Sequence, residues 1–500
     1  MFSDQIKIKC SLPHSLYRAQ QIKDFEGLAA EQAGTSLYGL MNRAGQACYN
    51  VFKSHFSTAK HVLVLTGEGN NGGDGYIFAA IAKESGLQVQ LCQMGDASDL
   101  TGDAAEARNA WRVEHGIIDD IERADFDKAD VIVDALLGIG LLGTVRNEYQ
   151  DVIRKINATG KQVLSMDIPS GLNPDTGAIK DVAVNAQVTV CVVGLKQGLF
   201  TGRSAEYCGE IYFSGLGIEK EFETLCQSTV SRVTYPDLCH YLKPRSRTSH
   251  KGFFGKTLVV GGNVGMPGAA RLASEASLRC GSGLVKVLTL PENLLTVLAG
   301  RPELMGEGVD IKHFDGKAIR DWASVLVIGP GLGTDEWAKA LLDYVLVSEL
   351  PTVLDADALN LLVNKPTWKD NWILTPHPGE AATLLGCSIS QIENDRYSAV
   401  RNLQRSFGGV VVLKGPGTLI CDGKKVYVKN VGNPGMASGG MGDVLSGIIA
   451  GLLAQGLDLL QASTLGVSIH GLAADAAAES DERGLLASDL FPYIRKLVNP

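Results

Sequence analysis
The chain has 500 residues, 45% hydrophobic and 20% charged, with a formal net charge of −9. That is globular rather than disordered composition, and its acidic balance argues against a general nucleic-acid binder, which needs basic surface. The length exceeds one ordinary core and fits two to four domains at about 150 residues each, or two large α/β domains.

In chain order, Ser15–Glu31 and Leu37–Phe56 read as helices and His61–Leu65 as a strand. A glycine-rich turn and a helix to about Gly86 follow. Next come strand Gln88–Met94, a helix over about Asp103–His115, and strands Val131–Asp134, Gln162–Met166, Ala186–Val193 and Glu210–Phe213. Residues 217–250 lack a long apolar period and read as a linker ending in the basic stretch Lys243-Pro244-Arg245-Ser246-Arg247, where a phosphate contact is an alternative role. The alternation then restarts, with strand Thr257–Val260, helix Gly268–Cys280 and strands Leu284–Leu290, Val325–Ile328, Thr352–Leu354, Trp372–Leu374 and Val410–Leu413. Helices Gly442–Gln455 and Leu460–Glu479, rich in small residues, close the chain. Such alternation predicts parallel sheets covered by helices: two doubly wound α/β domains at residues 1–225 and 250–500, joined by 226–249. The 58 glycines fit many tight strand-to-helix turns, where α/β proteins hold nucleotides.

The start of the chain shows no basic-then-apolar leader pattern. No segment reaches the ~20 apolar residues of a membrane span. The ten cysteines form no CxxC pair, which argues against zinc or redox motifs. A reducing cytoplasm is the expected setting, with no membrane and no nucleic-acid partner.

In the first half, Gly69-Asn70-Asn71-Gly72-Gly73-Asp74-Gly75 follows a strand and opens a helix, where glycines admit a ligand to free backbone N–H groups. It is neither the GxGxxG fingerprint nor a P-loop. Two further strand ends carry polar residues: Asp134 leads into Leu137-Gly138-Ile139-Gly140-Leu141-Leu142-Gly143-Thr144, and Asp167-Ile168-Pro169-Ser170-Gly171 ends the next strand. Parallel sheets gather ligand groups at these ends. Asn71, Asp134 and Ser170 therefore form a candidate oxygen set for a hard cation; each aspartate singly could instead cap a helix.

In the second half, Gly432-Asn433-Pro434-Gly435-Met436-Ala437-Ser438-Gly439-Gly440-Met441-Gly442-Asp443 precedes a long apolar helix. Glycines stacked before a helix make an anion hole of backbone N–H groups, and Asp443 stands where a base would meet a hydroxyl attacking a phosphoryl group. Asp443 could also serve merely as a helix-start carboxylate favoured by the dipole.

The segments GNNGGDG, VDALLGIG and DIPSG together resemble the NAD(P)H-hydrate epimerase domain over most of residues 15–215. The resemblance implies that Asn71, Asp134 and Ser170 hold a potassium ion. It implies that Asn70, Asn71, Gly72, Gly73, Asp74, Gly138, Ile139, Gly140, Leu141, Leu142, Gly143, Thr144 and Asp167 contact the hydrated nicotinamide cofactor. Asp167 is the candidate acid/base, a purely orienting carboxylate being the alternative. The GxGD-type segment resembles the ribokinase-like superfamily. With His250–Gly255, Gly329-Pro330-Gly331-Leu332-Gly333, Thr375-Pro376-His377-Pro378-Gly379-Glu380 and Lys414-Gly415-Pro416-Gly417-Thr418 it is similar to the ADP-dependent NAD(P)H-hydrate dehydratase over about residues 245–490.

By that likeness Ala269, Gly331, His377 and Asp443 contact the hydrated cofactor, while Lys414, Gly415, Pro416, Gly417, Thr418 and Gly442 bind the adenine nucleotide, with Mg²⁺. Singly, His377 could be a core histidine and Lys414 a solvated charge. Met441 departs from the small polar residue of many ribokinase-like proteins; the backbone anion hole survives that change. The implied function is a bifunctional, homo-oligomeric repair enzyme that epimerises hydrated NADH and NADPH and dehydrates the S form at the expense of ADP. A vitamin-precursor kinase on the same fold and a non-catalytic nucleotide sensor are the competing readings, and residues alone do not separate ADP from ATP.

Overall fold
The computed structural model describes residues 11–95, 100–140, 143–479 and 481–500. The chain forms two compact units, Met1–Ser231 and Arg232–Pro500; the division falls inside the segment read as a linker. No helix of the described residues is long and apolar enough to cross a membrane.

The N-terminal unit is built on a seven-stranded sheet. Its strands are β1 (His61–Thr66), β2 (Gln88–Gln93), β3 (Asp119–Asp120), β4 (Val131–Ala135), β5 (Gln162–Met166), β6 (Val188–Val192) and β7 (Glu210–Ser214). They lie in the order β3-β2-β1-β4-β5-β6-β7, every pair parallel. β4 and β6 are buried along their whole length, as runs rich in valine and covered on both faces must be. One face carries α2 (Leu37–His55) and α3 (Asn70–Glu84), whose Phe52 and Phe78 rings meet edge to face at 5.5 Å. The other face carries α5 (Asn147–Ala158) through Tyr149, Ile153 and Ile156.

The first helix, α1, is shorter than its pattern, covering Ala19–Gln32. Residues Ser15–Leu16 form a short strand instead, and Tyr17 exchanges backbone hydrogen bonds with the segment at Lys196: Tyr17 N–H to Leu195 C=O at 2.8 Å and Gln197 N–H to Tyr17 C=O at 2.9 Å. Long-range pairing outweighs helix propensity there. Helix α4 covers Gly102–Glu114.

In the C-terminal unit the strands are β8 (Lys256–Val260), β9 (Leu284–Thr289), β10 (Met305–Gly308), β11 (Val325–Ile328), β12 (Thr352–Leu354), β13 (Trp372–Leu374), β14 (Val410–Leu413), β15 (Thr418–Cys421) and β16 (Val426–Lys429). They run in the order β16-β15-β14-β13-β12-β11-β8-β9-β10, parallel except that β15 and β16 add an antiparallel hairpin to β14. The sequence pattern misses β10, β15 and β16. Met-Gly-Glu-Gly in β10 has no apolar run, and the hairpin is recognisable only once β14 offers it an edge. Helices α6 (Pro267–Cys280), α7 (Pro378–Leu385), α8 (Arg396–Phe407), α9 (Met441–Ala454), α10 (Leu459–Ala477) and α11 (Phe491–Leu497) cover the sheet. Ala270, Ala273 and Ala276 of α6 share one core with Ile448, Ile449 and Leu452 of α9 and Leu465 and Ile469 of α10. Before β8, Arg245 stacks 3.6 Å from the Phe254 ring centroid and donates to the Gly281 carbonyl at 2.5 Å, which ties the basic stretch to this unit's own framework.

In each sheet the strand order reverses once, between β1 and β4 and between β8 and β11. Chain connections leave in opposite directions there, and ligands bind in the crevice so formed. The two loops at each crevice touch backbone to backbone. An ideal Cβ on Gly67 would lie 1.9 Å from the Leu136 carbonyl oxygen, and one on Gly261 2.0 Å from that of Pro330, so only glycine fits either position.

Arg396 fixes another site loop. It is fully buried, pairs with Glu393 at 2.8 Å and donates to the Lys414 carbonyl at 3.0 Å. Burial lowers its pKa from the ordinary arginine value while the Glu393 charge opposes the shift. Glu393 is 37% exposed, so removing Arg396 strands no buried charge, and the cost comes from the Lys414 carbonyl left without its donor, about 1–3 kcal/mol. Arg396→Met is expected to lower the stability of the C-terminal unit by that order, read as an earlier transition in urea unfolding.

Candidate active sites
A cavity of about 660 Å³ in the N-terminal unit lies at the β1/β4 crevice. Asn70, Asn71 and Asp74 reach it from the start of α3, Gly138, Ile139, Gly140 and Thr144 from the loop after β4, and Asp167 from the end of β5. Of the remaining residues expected to contact the cofactor, Gly72 and Gly73 are buried in the first turns of α3, Gly143 is exposed further along the β4 loop, and Leu141 and Leu142 lie outside the described residues.

Asp167 takes a left-handed backbone, φ 65°, as does Val193, φ 63°, at the end of β6. That conformation costs an L-residue about 1–2 kcal/mol, and both residues line the cavity. The Asp167 carboxylate forms an ion pair with Lys196, a fully buried ammonium that also donates to the Val192 carbonyl at 2.9 Å. Burial alone would depress the Lys196 pKa, but the negative charges around it, Asp167 first, outweigh burial and raise it. Two more carboxyls face the same ammonium. Burial drives the Asp74 carboxyl well above the usual range, with the Asp167 and Glu26 charges adding to the effect. Glu26 of α1 is likewise raised by burial. Lys196 escaped the sequence reading, although a lysine in the apolar run Val192–Phe200 was the available signal.

Asp134 is wholly buried at the end of β4. It accepts from the Ser170 amide at 2.9 Å, the Ser170 hydroxyl at 2.6 Å and the Ser165 hydroxyl at 2.8 Å. Burial raises its pKa against those hydrogen bonds, and among the described residues no lysine or arginine pairs with it. Ser170 also accepts the Leu137 amide at 2.8 Å. Asn71 stands across the next residue, since an ideal Cβ on Gly138 would be 3.0 Å from the Asn71 Cβ. Both polar atoms of the buried Asn71 amide lack a hydrogen-bond partner, which costs roughly 1–3 kcal/mol for each such group. An unpartnered amide oxygen, an uncompensated carboxylate and a hydroxyl are a donor set that fits a hard monovalent cation.

In the C-terminal unit, α9 begins after Gly440, whose left-handed φ of 90° turns the chain into the helix. The first-turn N–H groups are free for an anion, and Asp443 sits among them. Burial, with the Asp355 charge next, raises the Asp443 carboxyl to about 7, while Lys414 opposes the shift. Lys414 Nζ lies 2.8 Å from Asp355 and 3.8 Å from Glu380. An ideal Cβ on Gly442 would be 3.3 Å from the same Nζ, so the helix start abuts the Lys414 loop. Asp355 also accepts the Ser446 hydroxyl of α9 at 2.7 Å. Burial raises the Glu380 pKa, with Lys414 opposing. One ammonium among Asp355, Glu380 and Asp443 leaves an excess of carboxylate, the setting that suits a divalent cation.

His377 is exposed rather than a core residue. It caps α7, its Nδ1 accepting the Gly379 amide at 2.9 Å. Gly331 and Ala269 meet at the β8/β11 crevice, an ideal Cβ on Gly331 lying 3.2 Å from that of Ala269. Gly415 and Pro416 are exposed, Gly417 is buried, and the Thr418 hydroxyl closes the turn on the Gly415 carbonyl at 3.0 Å. The sequence reading missed Asp355, Ser446 and Asp357, the last accepting the Gly333 amide at 2.8 Å. Asp355-Ala356-Asp357 directly follows β12, so the strand-end rule applied in the first half would have found it.

Two family models match in tandem. The YjeF-related protein N-terminus covers residues 37–198, and NAD(P)H-hydrate dehydratase covers residues 257–496. Among solved structures, a ribokinase-like superfamily protein from Enterococcus faecalis V583 matches at 30% identity with TM-score 0.50, over 54% of this chain and 98% of its own. The bifunctional NAD(P)H-hydrate repair enzyme Nnr of Coxiella burnetii is 47% identical over 97% of this chain and 99% of its own length. Its counterpart in Escherichia coli K12 is 44% identical over 98% of this chain and 95% of its own. At that identity and coverage, and with both family models in the same order, the chain belongs to the family of bifunctional NAD(P)H-hydrate repair enzymes.

Proposed function
We propose that the chain repairs hydrated NADH and NADPH, its N-terminal unit interconverting the R and S hydrates and its C-terminal unit dehydrating the S form at the expense of ADP to give NAD(P)H, AMP and phosphate. The observation that carries this reading is Asp443, a carboxylate titrating near neutrality among the free amides of a glycine-led helix and beside Lys414.

Hydroxide is a poor leaving group from the reduced ring. Asp443 accepts the proton of the ring hydroxyl as its oxygen attacks the β-phosphorus of ADP, and the bond to AMP breaks. The amides at the start of α9 hold the transferred phosphoryl group. Ring nitrogen electrons then expel phosphate, and loss of a proton from the neighbouring ring carbon restores the dihydropyridine. Lys414 and the Gly415–Thr418 turn hold the nucleotide; Ala269, Gly331 and His377 flank the hydrate. Asp355 and Glu380 supply the carboxylates that would hold Mg²⁺, which when bound neutralises phosphate charge.

In the N-terminal unit the hydroxyl-bearing carbon inverts by loss and return of water. The Asp167–Lys196 pair gives a proton to the departing hydroxyl and recovers one from the water that adds to the opposite face. Asn70, Asp74, Gly138–Gly140 and Thr144 contact the hydrated cofactor. Asn71, Asp134 and Ser170 would hold K⁺, which when bound fixes the loops around the substrate.

Hydrated NADPH incubated with the protein and ADP is expected to regain dihydronicotinamide absorbance with release of AMP. A stable phosphorylated product would instead mean a kinase. Asp443→Asn is expected to cut dehydration by about 10²–10⁴-fold with epimerisation intact. Asp167→Asn is expected to cut epimerisation by a similar factor while dehydration of pure S hydrate stays at the wild-type rate. Asp443 acts as the carboxylate, so kcat/KM for dehydration should climb about tenfold per pH unit towards pH about 7 and then level. A profile flat across neutrality would assign the proton to another group.

A further inference from the structure
A second cavity, of about 750 Å³, lies in the C-terminal unit and is lined by none of the residues assigned above. Its charged lining is Arg271, Arg279, Arg301, Arg495 and Lys496 against one carboxylate, Glu275. Arg271, Glu275 and Arg279 recur every four residues and so form one stripe along α6. Arg495 and Lys496 come from the last turn of α11. The buried Glu275 is shared by Arg279, at 3.4 Å, and Arg301. Arg271, Arg495 and Lys496 pair with no carboxylate among the described residues. The Arg301 Nε is buried without a hydrogen-bond partner.

Gathered like charge repels itself, and a desolvated, unpartnered N–H is costly. A multiply charged anion relieves both, and guanidinium forks match phosphate oxygens. The cavity also adjoins the α9 helix start. Its lining residue Leu272 would touch an ideal Cβ on Gly440 at 2.6 Å, and Ala487, next to its lining residue Ser488, would do so at 3.2 Å.

We propose that this cavity binds the di- or triphosphate group of a nucleotide, as a site separate from the cradle at α9. The phosphates belong either to the hydrated dinucleotide itself, an assignment that rests on the dehydratase reading, or to a free nucleotide acting as effector. The site as such does not depend on that reading.

The test is calorimetric titration of the full chain with inorganic tripolyphosphate, comparing wild type with R495Q/K496Q, both at exposed positions of α11, and with R271Q added to that pair. Binding at least tenfold weaker in both variants, with the KM for ADP unchanged, supports the site. A tenfold higher KM for hydrated NADPH then assigns the phosphates to the dinucleotide. An unchanged KM, with loss of a tripolyphosphate effect on kcat, assigns them to an effector. Wild-type tripolyphosphate affinity in both variants overturns the proposal. So does a KM for ADP that rises in parallel with the tripolyphosphate Kd, because the anion would then sit only in the α9 cradle.

Discussion

Where neighbouring parallel strands send their connections in opposite directions, the chain cannot cover the sheet end between them; the N-terminal site lies in such a gap, and the C-terminal site extends from one across the ends of β12, β13 and β14. In the N-terminal unit the gap lies between β1 and β4, in the C-terminal unit between β8 and β11. The loops above each gap are pulled together by direct backbone contact. The Gly67 amide donates to the Ala135 carbonyl at 3.1 Å, and the Gly262 amide to the Pro330 carbonyl at 3.1 Å. A polar side chain at a strand end, or in the first turn of the following helix, is thereby held at a depth set by the sheet rather than by a mobile loop.

The two units also share an electrostatic arrangement. Each encloses one lysine among several carboxyls: Lys196 with Asp167, Asp74 and Glu26, Lys414 with Asp355, Glu380 and Asp443. In both cases burial alone would favour the neutral amine, and the surrounding carboxylates reverse that preference. Protons are thus held where neighbouring groups compete for them, the condition under which side chains serve as acid and base near neutral pH.

Much of this was legible in the sequence, because buried parallel strands are nearly uninterrupted apolar runs. Val325–Ile328, Thr352–Leu354, Trp372–Leu374 and Val410–Leu413 have the bounds their hydrophobicity indicates. Glycine-rich segments marked the helix starts carrying Asn71 and Asp443. What stayed hidden depends on contacts distant in sequence. Tyr17 gave up helix for pairing beside Lys196, and β15 and β16 exist only beside β14. Lys196 itself looks like one charge in an apolar stretch until Asp167, 29 residues away, is placed against it. Asp355 is recognisable as part of the site only once Lys414, 59 residues on, reaches it.

Asp167, Lys196 and Asp74 all belong to the N-terminal unit, and Asp443, Lys414 and Asp355 all belong to the C-terminal unit. The ribokinase-like protein of Enterococcus faecalis aligns over 98% of its own solved chain with about half of this one. A cut between residues 231 and 232 would therefore divide neither of these side-chain clusters. What a single gene adds is stoichiometry: both halves are translated in equal number, so expression noise cannot leave one short of the other.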